Sequence, residues 1–146
     1  MSTAFADSSA LVKLYADEPG SDIVRAQARL TVSQLTRVEV PAALWRKHRL
    51  GELSATDTGV LVNAFEADYF GTEQNPADFL TVTVTAQILD RAARLVAVHN
   101  LRAYDAVQLA SAFAVNAVLP EGVTFLAFDK TLRAAAAAEG LRVLPE

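Results

Sequence analysis

The sequence predicts a three-layer α/β/α sandwich, Rossmann-like in outline, with a mainly parallel sheet of four to five strands. Three observations carry this. Short apolar runs alternate with stretches of helical periodicity along the chain, the order that successive βαβ units produce. The runs are apolar at consecutive positions, as strands covered on both faces are. A chain of 146 residues, 52% hydrophobic and 21% charged, has enough apolar material for the core of one domain. A single domain over residues 1–146 is expected.

The elements follow in order. TAFAD (3–7) reads as a buried strand ending in an acid, and SSALVKLY as a helix. DEPGSD (17–22) is a turn or helix start, and residues 23–30 suit a short helix. TVSQL (31–35) alternates and is rich in β-branched residues, so it reads as a strand. From Thr36 to about Arg49 the pattern is helical, with Gly51 as its stop. SATD (54–57) opens a helix that sets Val60, Leu61, Ala64, Phe65 and Tyr69 at helical spacing. Asn75-Pro76 marks a loop before the strand FLTVTV (79–84). Ile88, Leu89, Ala92, Leu95 and Val96 form a helical stripe, and Asn100 suits a left-handed end. Another helix carries AYDAVQLASAFAV (103–115). VTFLAF (123–128) is a strand, KTLRAAAAAEG a helix closed by Gly140, and LRVL (141–144) a last strand.

Composition narrows the function classes. There is no cysteine, and only His48 and His99 offer imidazole. Disulfides, thiolate chemistry and a Cys/His zinc site are excluded, and a His-based zinc site is disfavoured. No apolar segment approaches the length of a membrane span, so no membrane association and a cytoplasmic location are expected. The net charge of −4 is not the basic balance of a dedicated nucleic-acid-binding domain. It leaves room for a nucleic-acid substrate, because local charge at a small site matters more than the total.

Four acids stand at informative places. Asp7 and Asp129 each follow an apolar strand, where open α/β sheets form their sites. Each also suits a helix N-cap. Glu39 lies three residues after Thr36, the spacing of a capping box, while Pro41 removes one ladder bond from that helix, so the helix is expected either to start later or to bend there. Asp105 is the one ionisable group in an otherwise small and apolar run. It reads either as the cap of a helix beginning at Ala106 or as a site residue, and a buried carboxylate there needs hydrogen bonds, a cation or a proton. Converging on one cleft, Asp7, Glu39, Asp105 and Asp129 would make a hard-oxygen site for Mg²⁺ or Mn²⁺. Phosphodiester hydrolysis is the chemistry such a site fits.

The blocks ADSSALVKLYADEPGS (6–21), VSQLTRVEVPAAL (32–44), LRAYDAVQLASA (101–112) and FLAFDKTLRAAAAAEGLRVL (125–144) resemble, in order and spacing, the four motif blocks of a PIN domain. The likeness is nearest to VapC-type toxins of toxin–antitoxin pairs. It implies a PIN-like fold and a Mg²⁺- or Mn²⁺-dependent endoribonuclease. Asp7 and Asp105 would be the most direct metal ligands. Glu39 and Asp129 would complete the site, with Ser8 orienting a carboxylate or water. It further implies inhibition by a cognate VapB-type antitoxin, and homodimerisation. The helices around 54–70 and the first two helices are candidate surfaces for these contacts. RKHR (46–49), with Arg37, could steer RNA phosphates, or simply be a solvated helix end where cations suit the dipole. Ala127 departs from the family's frequent Ser or Thr two residues before the fourth acid.

Other classes fit less well. A catalytically silent binding module would not need all four acids. A phosphotransfer receiver wants adjacent acids after the first strand, and a dehalogenase-like phosphatase wants Asp-x-Asp, but the sequence reads Asp7-Ser8-Ser9. A dinucleotide-binding domain wants G-x-G-x-x-G there, and no such run exists.

Overall fold

The computed structural model describes residues 3–146. Its strands are β1 (Thr3–Ala6), β2 (Leu30–Ser33), β3 (Phe79–Val82), β4 (Val123–Leu126) and β5 (Arg142–Leu144). They form one sheet of order β3-β2-β1-β4-β5, with every neighbouring pair parallel. The helices α1 (Ser8–Val12) and α2 (Ser21–Arg25) join β1 to β2. Next, α3 (Thr36–Arg49) and α4 (Ala55–Phe70) join β2 to β3. The return to β4 runs through α5 (Ala86–His99) and α6 (Ala103–Val118), and α7 (Lys130–Ala138) leads to β5.

The pleat divides the core. Ala4 and Ala6 face Leu11, Val24, Val40, Leu44 and Phe65 on one side of the sheet. Phe5 and Phe125 face Leu109, Phe113 and Leu132 on the other. Phe5 and Phe125 are partners in register, and their rings stack 5.9 Å apart at 9°. Each buried aromatic contributes roughly 1.5–3 kcal/mol of burial. With right-handed crossovers, a chain that moves outward from β1 to β3 and then returns to β4 places its helices on opposite faces before and after the reversal. The reversal therefore falls between β1 and β4, the switch point where such sheets open a crevice.

The sandwich matches expectation, and several boundaries do not. The short helix read over 23–30 is α2, which runs from Ser21 to Arg25 instead, because Leu30 is already paired in β2. Gly20 starts it with φ 95, a conformation that L side chains resist. A Cβ there would lie 2.6 Å from the Phe128 ring. That ring also explains the end of β4. Pairing stops at Leu126, two residues short of the run read from sequence, since Phe128 turns toward Gly20 and lies under Lys13 Nζ at 4.6 Å. Asp129 consequently stands three residues beyond the strand. The helix holding Pro41 is continuous from Thr36 to Arg49. Among the described residues, no helix is long and apolar enough to cross a membrane.

Candidate active site

Asp7 is the residue at which β1 leaves the sheet, at the switch point. Its backbone N–H donates to Leu126 O at 3.2 Å, tying it to β4. Its side chain caps α1: Oδ1 accepts from Ala10 N at 2.8 Å, and Oδ2 accepts from Ser9 Oγ at 3.1 Å. The residue is only 3% exposed. Burial pushes its carboxyl up to about 7; the Ala10 and Ser9 hydrogen bonds oppose this, and the fields of Asp105 and Glu39 add to it. The residue that caps α1 is thus also a buried carboxyl raised by its surroundings.

Glu39 does not make the capping box. The helix starts one residue earlier than that motif requires, with Leu35 at the cap, and Thr36 Oγ1 donates backward to Ser33 O at 2.8 Å. Glu39 turns into the interior instead. Its Oε1 accepts from Ser8 Oγ at 2.8 Å and from Gln108 Nε2 at 2.9 Å. Gln108 Nε2 also donates to Ser8 Oγ at 2.8 Å, closing a triangle of side chains from α1, α3 and α6.

Asp105 is not a cap either. α6 begins at Ala103 with Arg102 at the cap position, which places Asp105 in the first turn, where a negative charge suits the helix dipole. Its side chain is 22% exposed and accepts from Arg102 Nε and Nη2, both at 3.2 Å. The Arg102 side chain is 81% exposed. Asp105 therefore sits where α6 emerges from the core, and full burial begins at Ala106. If Asp105 ligates a cation, Arg102 competes with it. Arg102→Ala should then tighten Mn²⁺ binding about 2–5-fold, the range of a weak exposed pair. Isothermal titration that finds binding unchanged or weakened would remove Arg102 from the site.

Asp7, Ser8, Glu39, Asp105 and Gln108, with Arg102 beside them, line one cleft of about 340 Å³. Asp129 is not among its lining residues. It caps α7, with Oδ2 accepting from Leu132 N at 2.9 Å. Ala127, where the family often has a hydroxyl, is fully buried, and its carbonyl accepts from Arg133 Nη1 at 2.8 Å. Gln108 and Arg102 were not singled out in the sequence. Gln108 carried a usable signal, a polar side chain one turn after an acid within an apolar helix.

The donor set fits a hard divalent cation. It consists of carboxylate and hydroxyl oxygens, with no thiol or imidazole. The raised Asp7 carboxyl is that of a buried anion facing two like charges, and a cation would relieve it. Gln108 Oε1 is a buried acceptor without a partner at the same place. Among the described residues, no three acids or imidazoles are grouped closely enough to cage an ion by themselves. Mg²⁺ does not require that, since one or two carboxylates with water and substrate phosphate complete its shell.

A family model described as the PIN domain matches residues 4–138. Ribonuclease VapC45 and Ribonuclease VapC49, from two strains of Mycobacterium tuberculosis, are each 34% identical to this chain over 154 aligned residues. The alignment covers 99% of this chain and 96% of either relative. Among solved structures, PAE2754 from Pyrobaculum aerophilum superposes with a TM-score of 0.66 at 21% identity, covering 98% of this chain and 84% of the other. A toxin-antitoxin complex from Klebsiella pneumoniae gives a TM-score of 0.56 at 17% identity, covering 86% of each chain.

Proposed function

The chain belongs to the PIN domain family, and on that premise we propose that it is a divalent-metal-dependent endoribonuclease, the toxin of a VapBC-type pair acting in the cytoplasm. One observation carries the reading. Three carboxylates from three distant segments, Asp7, Glu39 and Asp105, meet on one cleft at the switch point of a parallel sheet.

In this reading Asp7 and Asp105 hold a Mg²⁺ or Mn²⁺ ion, and Asp129 acts from outside the cleft through water. When bound, the ion supplies charge stabilisation at the phosphate and a lowered pKa for water. Ser8 and Gln108 occupy Oε1 of Glu39, which leaves Oε2 to accept the proton of the attacking water. The water oxygen bonds to phosphorus, the bond to the departing sugar oxygen breaks, and that oxygen takes a proton from solvent. The test is cleavage of total RNA by the purified protein. We expect cuts with Mg²⁺ or Mn²⁺, none in EDTA, and growth arrest on expression that a neighbouring small gene relieves. Metal-bound protein that binds RNA without cutting it would be a silent binding module instead.

The RNA would enter from a second groove that shares Ser9 and Ala43 with the acid cleft and is also lined by Arg46, Lys47 and Leu50. The cations read from sequence are not equally available there. Lys47 pairs with Glu18 at 2.8 Å and Arg37 with Glu66 at 2.8 Å, while His48 Nδ1 lies 2.9 Å from Leu53 O. Arg46 has no ion pair among the described residues. Arg46→Ala should raise KM for RNA about 3–10-fold at low salt, with the gap closing near ~0.5 M. A salt-independent change would place the RNA elsewhere.

For the antitoxin we propose the cleft together with the outer sides of α3 and α4, where Val38, Trp45, Leu50, Val60 and Phe70 are exposed. Homodimerisation is proposed as well, and sedimentation of the toxin without antitoxin tests it.

A further inference from the structure

The geometry points to Gln108 as a positioning residue that, with Ser8, fixes the Glu39 carboxylate in its working orientation; this rests on the reading of the cleft as a metal-dependent nuclease site. Gln108 is 2% exposed and stands among Ala106, Val107, Leu109 and Ala110, all buried. An apolar side chain would pack at such a position with no polar group to satisfy. The amide instead leaves its Oε1 buried without a partner, a state that carries a desolvation penalty.

The orientation of the amide explains why that penalty is tolerated. Both contacts of Gln108 run through Nε2, to Ser8 Oγ at 2.8 Å and to Glu39 Oε1 at 2.9 Å. A carboxylate can only accept, so the amide must face it with its donor end. Turned by half a revolution, Oε1 would meet the Glu39 oxygen, two acceptors with no proton between them, and the donors would be orphaned. Glu39 therefore dictates the amide's direction, and the unpaired Oε1 follows from it. The Ser8 hydroxyl donates to the same Glu39 oxygen, so two donors from separate helices hold one oxygen. A side chain with three rotatable bonds is thereby held in one direction. Groups that orient a metal-site carboxylate in this way typically matter about 10–100-fold.

The test compares Gln108→Met, similar in length and without hydrogen-bonding capacity, with Ser8→Ala, which leaves α6 untouched. Both are made in the wild-type and Glu39→Ala backgrounds. In the wild-type background kcat should fall about 10–100-fold with KM changed less than about threefold. In the Glu39→Ala background neither substitution should cost more than about twofold further, because the group being positioned is gone. The ¹³C resonance of the Glu39 side-chain carboxyl, read without metal or RNA, should move in either variant. Equal losses in both backgrounds would mean a structural role and overturn the proposal, as would an unmoved Glu39 resonance. Should Gln108→Met fail to fold, Ser8→Ala decides by the same readings. If the wild-type protein cuts no RNA, the nuclease reading fails, and the Glu39 resonance still decides whether Gln108 holds that carboxylate.

Discussion

Asp7→Asn should make the protein more stable and end its activity. The Asp7 carboxyl has an ordinary value of 3.8 and is pushed up to about 7 in the fold, burial being the main cause. Between those values the folded chain keeps a proton that the unfolded chain has released, so stability falls as pH rises through that window. The loss is complete above about 7 and absent below about 4. Asparagine cannot ionise and caps a helix as well as aspartate does, so the Ala10 N contact survives the exchange. In EDTA at pH 8 the variant should be more stable by on the order of 2–4 kcal/mol, or roughly 5–12 °C for a chain of this size. At pH 4 the difference should vanish. Added Mn²⁺ should raise the melting temperature of the wild type and leave that of the variant unchanged. Cleavage should drop at least about 100-fold. A stability gain that does not vary with pH would show that the charge at Asp7 is not what the fold resists.

The residues that chemistry marks by type and place were legible in the sequence; those marked by their partners were not. Asp7 could be read because a carboxylate after an apolar strand stands at the carboxyl end of the sheet whichever strands flank it. Glu39 was ambiguous because local rules and tertiary ones compete for the same side chain. The capping box uses residues three apart, whereas its actual partners are 31 and 69 positions away. Gln108 stood out only as a polar side chain in an apolar run; its partners stayed hidden because they depend on how α6 is rotated about its axis against α1 and α3. A hydrophobic pattern fixes that phase for apolar neighbours only. Asn100, Gly140 and Ser54 were readable because each acts within its own helix end. The end of β4 was not, because Phe128 leaves the strand to pack against Gly20, over a hundred positions away. The same cause moves Asp129 from the strand's end to the cap of α7, outside the cleft.

Asp105→Asn separates the two carboxylates proposed as direct ligands by the sign of its effect on stability. Like Asp7→Asn it should abolish Mn²⁺ binding and lower cleavage at least about 100-fold, since both remove a carboxylate from the same cleft. The fold should respond in the opposite direction. Asp105 is partly exposed, lies in the first turn of α6 and pairs with Arg102. Its charge is favoured by the helix dipole and a weak exposed ion pair, and opposed by the Asp7 carboxylate, whose coupling to Asp105 is one of the smaller causes of the Asp7 shift. Losing it should destabilise the EDTA-treated protein by less than about 1.5 kcal/mol, from roughly 0.3–1 kcal/mol for the dipole and a few tenths for the pair. The sequence places Asp105 in an apolar run and makes its charge look costly. The structure moves that cost to Asp7, which is the acid enclosed at the switch point. Melting curves of both variants in EDTA at pH 8 decide the matter. Opposite shifts support this division between an enclosed ligand and an open one. If Asp105→Asn stabilises the protein, this division fails; if it retains cleavage, the metal belongs to other carboxylates.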